Sequence, residues 1–256
     1  MATKRTLLLV MDESDCRETN VFALVGLVVP IERADALRVS LHRFVRELEN
    51  PPDRTIATPT ELHGSAMLKN VSWATDEHRL RCYQYVVDVL HEHQLQILRA
   101  AYYKKSLAAL PGGKRMMYGL CFGGMQATVG SLLADAYAIP IMDGMNQDLA
   151  FSFGGGMPVL HALRASPFYA EGSISIPNVE NLMDAVFVDS RYSALMQLAD
   201  VTAHLLHILD WERLGLPLVG AFKPRLAAIA RRLDMSLVSG AVPVSMRMAG
   251  IPAPAA

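Results

Sequence analysis

The 256-residue chain has a formal net charge of −1, with 24 Lys and Arg against 25 Asp and Glu. This balance excludes a protein that attracts nucleic acid through an overall positive field, so such binding would need a local basic patch or bound cations. A hydrophobic content of 52% excludes a disordered chain. We expect one domain over residues 1–256, with its core at about residues 6–211 and a C-terminal helix and flexible tail at 212–256.

The cysteines and the apolar runs restrict the location of the protein. Cys16, Cys82 and Cys121 are widely spaced and show no CxxC pair, which argues against a disulfide framework or a zinc ribbon. The N-terminus makes a poor signal peptide, and the longest apolar run, Val21–Ile31, is too short for a membrane helix. We therefore expect a cytoplasmic protein with no membrane partner. The oligomeric state is not indicated.

The first strong pattern is the apolar run Leu7–Met11, which stops at Asp12-Glu13-Ser14. Five apolar residues without polar alternation are typical of a strand that is covered on both faces. After a short polar segment, Val21–Val29 is again strongly β-prone and Pro30 ends it. The pair predicts an antiparallel hairpin.

The rest of the chain alternates between helical and strand patterns. Helices are predicted at Ile31–Leu48, from Ser72 or Thr75 to His93, at Arg115–Ala138, at Ser193–Trp211 and at Pro224–Leu233; strands are predicted at Leu95–Tyr103, Ile139–Gly144 and Ala185–Ser190. The helix at Ser193–Trp211 is predicted to be amphipathic, with Gln197, Asp200, His204 and His207 opposite its leucines. This alternation predicts an α/β fold with a mixed sheet flanked by helices.

Acidic residues mark several predicted strand ends. Asp12, Asp143 and Asp189 each follow an apolar strand, and the carboxyl ends of strands are where α/β sheets place their ligands. Hard divalent cations take carboxylate oxygens, and two such ions about 3.5–4 Å apart can orient the attacking and leaving oxygens of a phosphodiester. Ordinary structural roles are the alternatives, because Asp143-Gly144 also suits a turn and Asp189 also suits a helix cap.

Other candidates lie away from strand ends. Asp200 stands among apolar neighbours on a helix, where a half-buried acid needs a partner. Glu61 and His63 suit a ligand pair on an extended segment, but such pairs are common in loops. His204 and His207 share a helical face and suit a metal, although histidines in such positions are more often packed or solvent-facing.

Five short motifs along the chain form a recognisable combination. They are Met11-Asp12-Glu13-Ser14, Glu61-Leu62-His63-Gly64, Ile141-Met142-Asp143, Asp189-Ser190 and Met196-Gln197-Leu198-Ala199-Asp200. Together they resemble the domain-of-unknown-function family 3800 of bacteria and phages, over about Leu7 to Leu209. The resemblance implies a ribonuclease H-like fold. It also implies that Asp12 is a bridging metal ligand and that Glu61, Asp143 and Asp200 complete the cluster for Mg²⁺ or Mn²⁺.

The chain departs from the family pattern in two places. Asp15 stands where glycine is usual after the first strand. Ribonuclease H-like enzymes usually carry their second aspartate on the strand beside the first, and Leu95–Tyr103, which we expect there, is followed by Lys104 and Lys105 instead of an acid. The role of Asp143 is therefore less secure than those of Asp12 and Asp200.

Basic residues cluster around one predicted loop: Lys104, Lys105, Lys114 and Arg115. They suit contacts with a phosphate backbone, and a solvated loop is the alternative. The leading hypothesis is a divalent-metal-dependent nuclease or phosphodiesterase with nucleic acid as its partner. The alternatives are a non-catalytic nucleic-acid- or protein-binding module on the same fold and a small-molecule phosphohydrolase.

Overall fold

The computed structural model of the chain describes residues 4–15, 19–49, 62, 64, 75–104, 121, 125, 135–143, 186–233 and 238–239. The strands in this part are β1 Arg5–Asp15, β2 Val21–Pro30, β3 Gln96–Tyr103, β4 Ala136–Asp143, β5 Val186–Val188 and β6 Val238–Ser239. The helices are α1 Ile31–Glu49, α2 Asp76–Glu92, α3 Ala194–Arg213 and α4 Phe222–Ala230, with a 3₁₀ turn at Ser190–Tyr192 before α3.

The strands form one six-stranded mixed sheet in the order β5-β4-β1-β2-β3-β6. β1 and β2 are an antiparallel hairpin, with Leu7 opposite Pro30 and Asp15 opposite Phe22. β3 is antiparallel to β2, while β4 is parallel to β1, β5 to β4 and β6 to β3. Among the described strands, β2 alone therefore runs against the others. The predicted fold class, an α/β fold whose mixed sheet begins with an antiparallel hairpin and is flanked by helices, is confirmed.

The two faces of the sheet are both covered, as the unbroken apolar pattern of β1 predicts. Alternate residues of a strand point to opposite faces. Val10 lies in the larger core, which also contains residues of α1, α2, α3 and α4. Met11 points the other way, into a smaller core that includes Cys121 and Met125. Two acidic side chains on the sheet can meet only if they point to the same one of these faces.

Helix α3 is buried on both sides, so its predicted amphipathic pattern is wrong in one respect. Its leucines lie in the larger core, but Gln197 and His207 are buried as well. These polar residues are directed at other parts of the protein instead of at solvent, because α3 crosses the sheet and packs on β1 and β2. A helix buried all round cannot show a clean polar stripe that faces water.

Two helix starts follow from capping. The Thr75 side chain accepts a hydrogen bond from the His78 amide at the start of α2, which selects Thr75 over Ser72 as the cap. The Ser193 side chain does the same for the Met196 amide at the start of α3. The bounds of α1, α2 and α3 lie within two residues of the predicted ones.

The predicted helix Arg115–Ala138 is wrong at its end, because residues 136–138 belong to β4. Alanine favours helices, but here Ala136 pairs with Arg5 and Ala138 with Leu7. Their burial alternates as in a strand: Ala136 and Ala138 are buried and Tyr137 is exposed. Tertiary pairing has overridden local propensity. Most of that predicted helix, with the C-terminal tail, lies outside the described residues.

Candidate acidic site

Asp12 lies near the carboxyl end of the central strand and faces α3. It is two residues beyond Val10, so its side chain points to the same face of β1, the face that packs on the helices. The side chain is half-buried. A strand with one neighbour on each side fixes the backbone here, which makes Asp12 a well-positioned group.

Asp200 meets Asp12 from the first half of α3. The Asp200 carboxyl acts on Asp12 both through its charge and through a side-chain hydrogen bond, and both raise the pKa of Asp12, which places the two carboxyls side by side. Burial is the largest cause that raises the pKa of Asp12 well above its ordinary value, followed by the charges of Asp200 and Glu13. Two neighbouring carboxylates repel one another when both are ionised, and a proton or a cation between them offsets that repulsion.

The Asp200 carboxylate is oriented by two further contacts. The amide of Gly64 donates a hydrogen bond of 2.8 Å to Asp200 Oδ2, and His204 Nε2 lies 3.5 Å from Oδ1. The Gly64 carbonyl in turn accepts a 3.1 Å hydrogen bond from the hydroxyl of Tyr83 on α2. These contacts join Gly64, α2 and α3 around a single carboxylate.

One turn before Asp200 on α3, a glutamine binds the same segment. The Leu62 amide donates to Gln197 Oε1 at 3.2 Å. The Gln197 side-chain nitrogen donates to the carbonyls of Ser190 and Arg191, at 3.2 Å each. The predicted motif that ends in Gln197-Leu198-Ala199-Asp200 thus anchors residues 62 and 64 through two of its side chains.

A serine and a histidine extend the polar row along α3. Ser14 is on the same face of β1 as Asp12, and its Oγ lies 3.3 Å from Nδ1 of His207. Both side chains are buried. The ring of His207 packs edge-on against Trp211 at a centroid distance of 5.8 Å. His207 is therefore a packed histidine, which is the more common of the two roles that the sequence allowed.

Asp143 lies on the strand next to Asp12, which corrects the expected sheet order. The neighbours of β1 are β2 and β4, and β3 is not one of them, because β2 separates it from β1. Met11 pairs with Met142, so Asp12 and Asp143 are level and point to the same face. The parallel neighbour of β1, β4, therefore does end in an acid. Asp143 is half-buried.

The described residues contain no group of three or more His, Cys, Asp or Glu that could hold a metal ion together. Asp12 and Asp200 are brought together, and Asp143 is on the adjacent strand. Glu61 lies outside the described part of the chain, as do His63, Lys105, Lys114 and Arg115. Their predicted roles stay predictions.

Lys104 and Asp189 have partners on the protein. Lys104 Nζ lies 2.5 Å from Asp15 Oδ1, so it ties the end of β3 to the end of β1. Asp15, which stands where glycine was expected, thus has a cation beside it. Asp189 accepts from the Arg191 amide and pairs with its guanidinium, which lowers the pKa of Asp189. This is the capping role allowed for Asp189 by its sequence.

A second charged pair lies under α3, and it was not predicted from the sequence. Arg99 of β3 pairs with Asp210 of α3, and their side chains are only 15% and 2% exposed. A lone arginine inside the apolar run of β3 was the available signal, because a buried charge requires a partner. Gly64 and Tyr83 were also missed, and their roles depend on contacts that sequence spacing does not encode.

A cavity of about 700 Å³ lies elsewhere, between α1 and the start of α3. Its lining includes Ile31, Arg38, Tyr192 and Leu195 but neither Asp12 nor Asp200. The acid pair therefore does not sit in this cavity, and a small-molecule phosphohydrolase gains no support from it. Among the described helices, none combines the length and the apolar character needed to cross a bilayer.

The chain resembles known solved structures only distantly. No protein-family model matches the chain, and no curated protein matches it significantly. The solved structure of Bst-RNase HIII in complex with Mn²⁺ is similar, with a TM-score of 0.45, 12% identity and coverage of 91% of this chain and 64% of that chain. A mutant of Bst-RNase HIII gives a TM-score of 0.42 and 10% identity over the same shares.

The chain thus spans 64% of the length of these two solved proteins. Likenesses this distant carry no argument about the activity, metal or substrate of this chain. The resemblance to the domain-of-unknown-function family 3800 stays a prediction.

Proposed function

We propose that this protein is a divalent-metal-dependent phosphodiesterase that acts on nucleic acid, with Asp12 and Asp200 as its central metal ligands. The observation that carries the proposal is the contact between these two carboxyls, one from the central strand and one from the helix that covers it. Mg²⁺ or Mn²⁺ suits this donor set, because hard cations prefer carboxylate oxygens and offset the repulsion between them.

The chain's own residues would divide the work as follows. Asp12 and Asp200 hold the cation, and Asp143 and Glu61 supply further oxygens from the neighbouring strand and from the segment before Gly64. A bound divalent cation supplies a Lewis acid for a phosphoryl oxygen. Lys104 is paired with Asp15, so it would reach a phosphate backbone only by exchanging that partner, whereas Lys105, Lys114 and Arg115 would contact the backbone directly.

Calorimetry with Mn²⁺ is the decisive experiment. We expect the wild type to bind Mn²⁺ and the double variant Asp12→Ala/Asp200→Ala to lose binding. Asp189→Ala is the matched control, because Asp189 also follows a strand at this edge of the sheet but its charge is offset by Arg191. Loss of binding in the double variant alone would justify a screen for metal-dependent cleavage of DNA and RNA, in which Asp12→Asn should be inactive.

A non-catalytic binding module is the second candidate. It is favoured by the structural contacts of Asp200, whose carboxylate accepts a hydrogen bond from the Gly64 amide and lies beside His204. On this alternative the acid pair only fastens α3 to the sheet. Wild-type protein that binds no Mn²⁺ at millimolar concentration would favour the module over the enzyme. Metal-dependent cleavage that is unchanged in Asp12→Asn would instead overturn the assignment of Asp12 as a metal ligand.

A further inference from the structure

Gly64 occupies a position that has no room for a side chain. A Cβ atom built on Gly64 would lie 2.2 Å from Cδ2 and 2.6 Å from Cγ of His204. Atoms in a packed interior do not approach so closely, so any other residue would displace the histidine ring. Backbone freedom is not the reason for this glycine, because the described glycines with positive φ are Gly215 and Gly220.

The close approach has a direct consequence for Asp200. With no Cβ in the way, the Gly64 backbone comes near enough to α3 for its amide to donate to Asp200 Oδ2 at 2.8 Å. The Tyr83 hydroxyl holds the Gly64 carbonyl from the other side. His204 is one helical turn after Asp200, and its Nε2 faces the other carboxylate oxygen. The two oxygens of Asp200 therefore each have a neighbour that fixes their direction.

We propose that Gly64 and His204 are positioning residues for the metal site, and that their contact holds the Asp200 carboxylate in the orientation that meets Asp12. The inference rests on the proposed function, since it assumes that Asp200 is a metal ligand. Hydrogen-bonded partners of a ligand orient it and tune its basicity, and their loss typically weakens metal affinity about 10- to 100-fold.

A double-mutant cycle tests the inference. Gly64→Ala should push the His204 ring aside and lift the Gly64 amide from Asp200, so Mn²⁺ affinity measured by calorimetry should fall about 10- to 100-fold. His204→Ala removes the two ring atoms that the new methyl group would meet and leaves only the Cβ at 3.1 Å, a contact that a small shift relieves. In the His204→Ala background, Gly64→Ala should therefore cost less than about 3-fold in affinity, because the clash with the ring is then absent.

Gly215→Ala is the matched control for the substitution of a glycine. Gly215 follows the far end of α3, has a φ of +66°, and a Cβ there would meet nothing within 4 Å. Alanine at this position is strained but causes no clash. We expect Gly215→Ala to lower the melting temperature and to leave Mn²⁺ affinity unchanged.

The outcomes separate the two proposals. No Mn²⁺ binding by the wild type would overturn the proposed function, and the positioning role with it. Wild-type binding, together with equal losses from Gly64→Ala in both backgrounds, would overturn only the positioning role. Urea unfolding of the same four proteins without metal adds an independent reading, because a real contact also makes the free energies of unfolding non-additive.

Discussion

Two pairs of ionisable residues connect α3 to the sheet. One pair has opposite charges, and the other consists of two acids. Asp210, near the end of the helix, meets the guanidinium of Arg99. Asp200, ten residues earlier, meets a second carboxyl, Asp12. Asp12 and Arg99 even occupy the same row of the sheet, since Asp12 pairs with Val25 and Val25 pairs with Arg99. Both pairs thus lie between the same row of the sheet and α3. They differ only in whether the residue on the sheet is an acid or a base.

The pair Arg99–Asp210 has a structural role, whereas the pair Asp12–Asp200 is a candidate functional site. An acid beside an arginine is compensated within the chain and has no need of a cation from outside. Burial and the neighbouring Asp200 carboxylate raise the pKa of Asp12, and two acids side by side gain from an added cation. Helix α3 thus carries one pair that serves the fold and one that is suited to chemistry, on the same buried face.

The largest expected effect comes from breaking the compensated pair. Asp210→Ala leaves the Arg99 guanidinium buried without its carboxylate, which should lower the free energy of unfolding by about 3–5 kcal/mol. Urea unfolding monitored by circular dichroism measures this loss. Asp35→Ala is the control, because it breaks the exposed pair with Arg38 and should cost under about 1 kcal/mol. Equal losses in the two variants would contradict the structural role of Arg99 and Asp210.

The second effect has the opposite sign and concerns the acid pair. The raised pKa of Asp12 means that folded protein binds more protons than unfolded protein above about pH 3.9. Stability from this group is therefore lost as pH rises through the raised pKa. Asp12→Asn stays neutral, so at pH 8 without metal we expect it to be more stable than the wild type by about 1–2 kcal/mol.

Thermal unfolding from pH 4 to pH 8 checks this expectation. The wild-type curve should fall with pH relative to that of Asp12→Asn, and added Mn²⁺ should restore the wild type only. Asp189→Asn provides a control of opposite sign, because Arg191 lowers the pKa of Asp189 and that stability is lost as pH falls. Parallel curves for the wild type and Asp12→Asn would refute the raised pKa of Asp12.

The smallest effect concerns the support of Gly64. Tyr83→Phe removes the hydroxyl that donates to the Gly64 carbonyl and should cost about 0.5–1 kcal/mol of stability. Mn²⁺ affinity should fall by a few-fold at most, because Tyr83 is three contacts from the proposed cation, through Gly64 and Asp200. Tyr85→Phe is the control, because the Tyr85 hydroxyl lies 2.8 Å from Ser40 Oγ and contacts neither Gly64 nor Asp200 in the described hydrogen bonds. An affinity loss in Tyr85→Phe would show that the effect is not specific to the site.

Strong local patterns explain why much of the fold was predictable. The apolar runs of β1 and β2 and the spacing of α1, α2 and α3 are set by burial, which sequence periodicity reports directly. Residues 136–138 were misassigned because alanines favour helices and only the pairing with β1 makes them a strand. β6 was missed because its two residues depend on a parallel pairing with β3.

The candidate site was predictable only as a set of residue types. Apolar strands that end in acids indicated Asp12 and Asp143, and an acid among apolar helical neighbours indicated Asp200. Which of them meet depends on the strand order, and that order was expected incorrectly for the neighbour of β1. Gly64 carried no signal of its own, because its importance lies in the space that His204 occupies.

The length of chain between β1 and α3 has a consequence for how the site forms. Ser14 and His207 touch although they are 193 positions apart in sequence, and Asp12 and Asp200 are similarly distant. Contacts of such high sequence separation form late, after most of the loop-closure entropy has been lost. We therefore expect metal affinity to appear only with the last step of folding, and a chain still emerging from the ribosome to acquire it after α3 has docked.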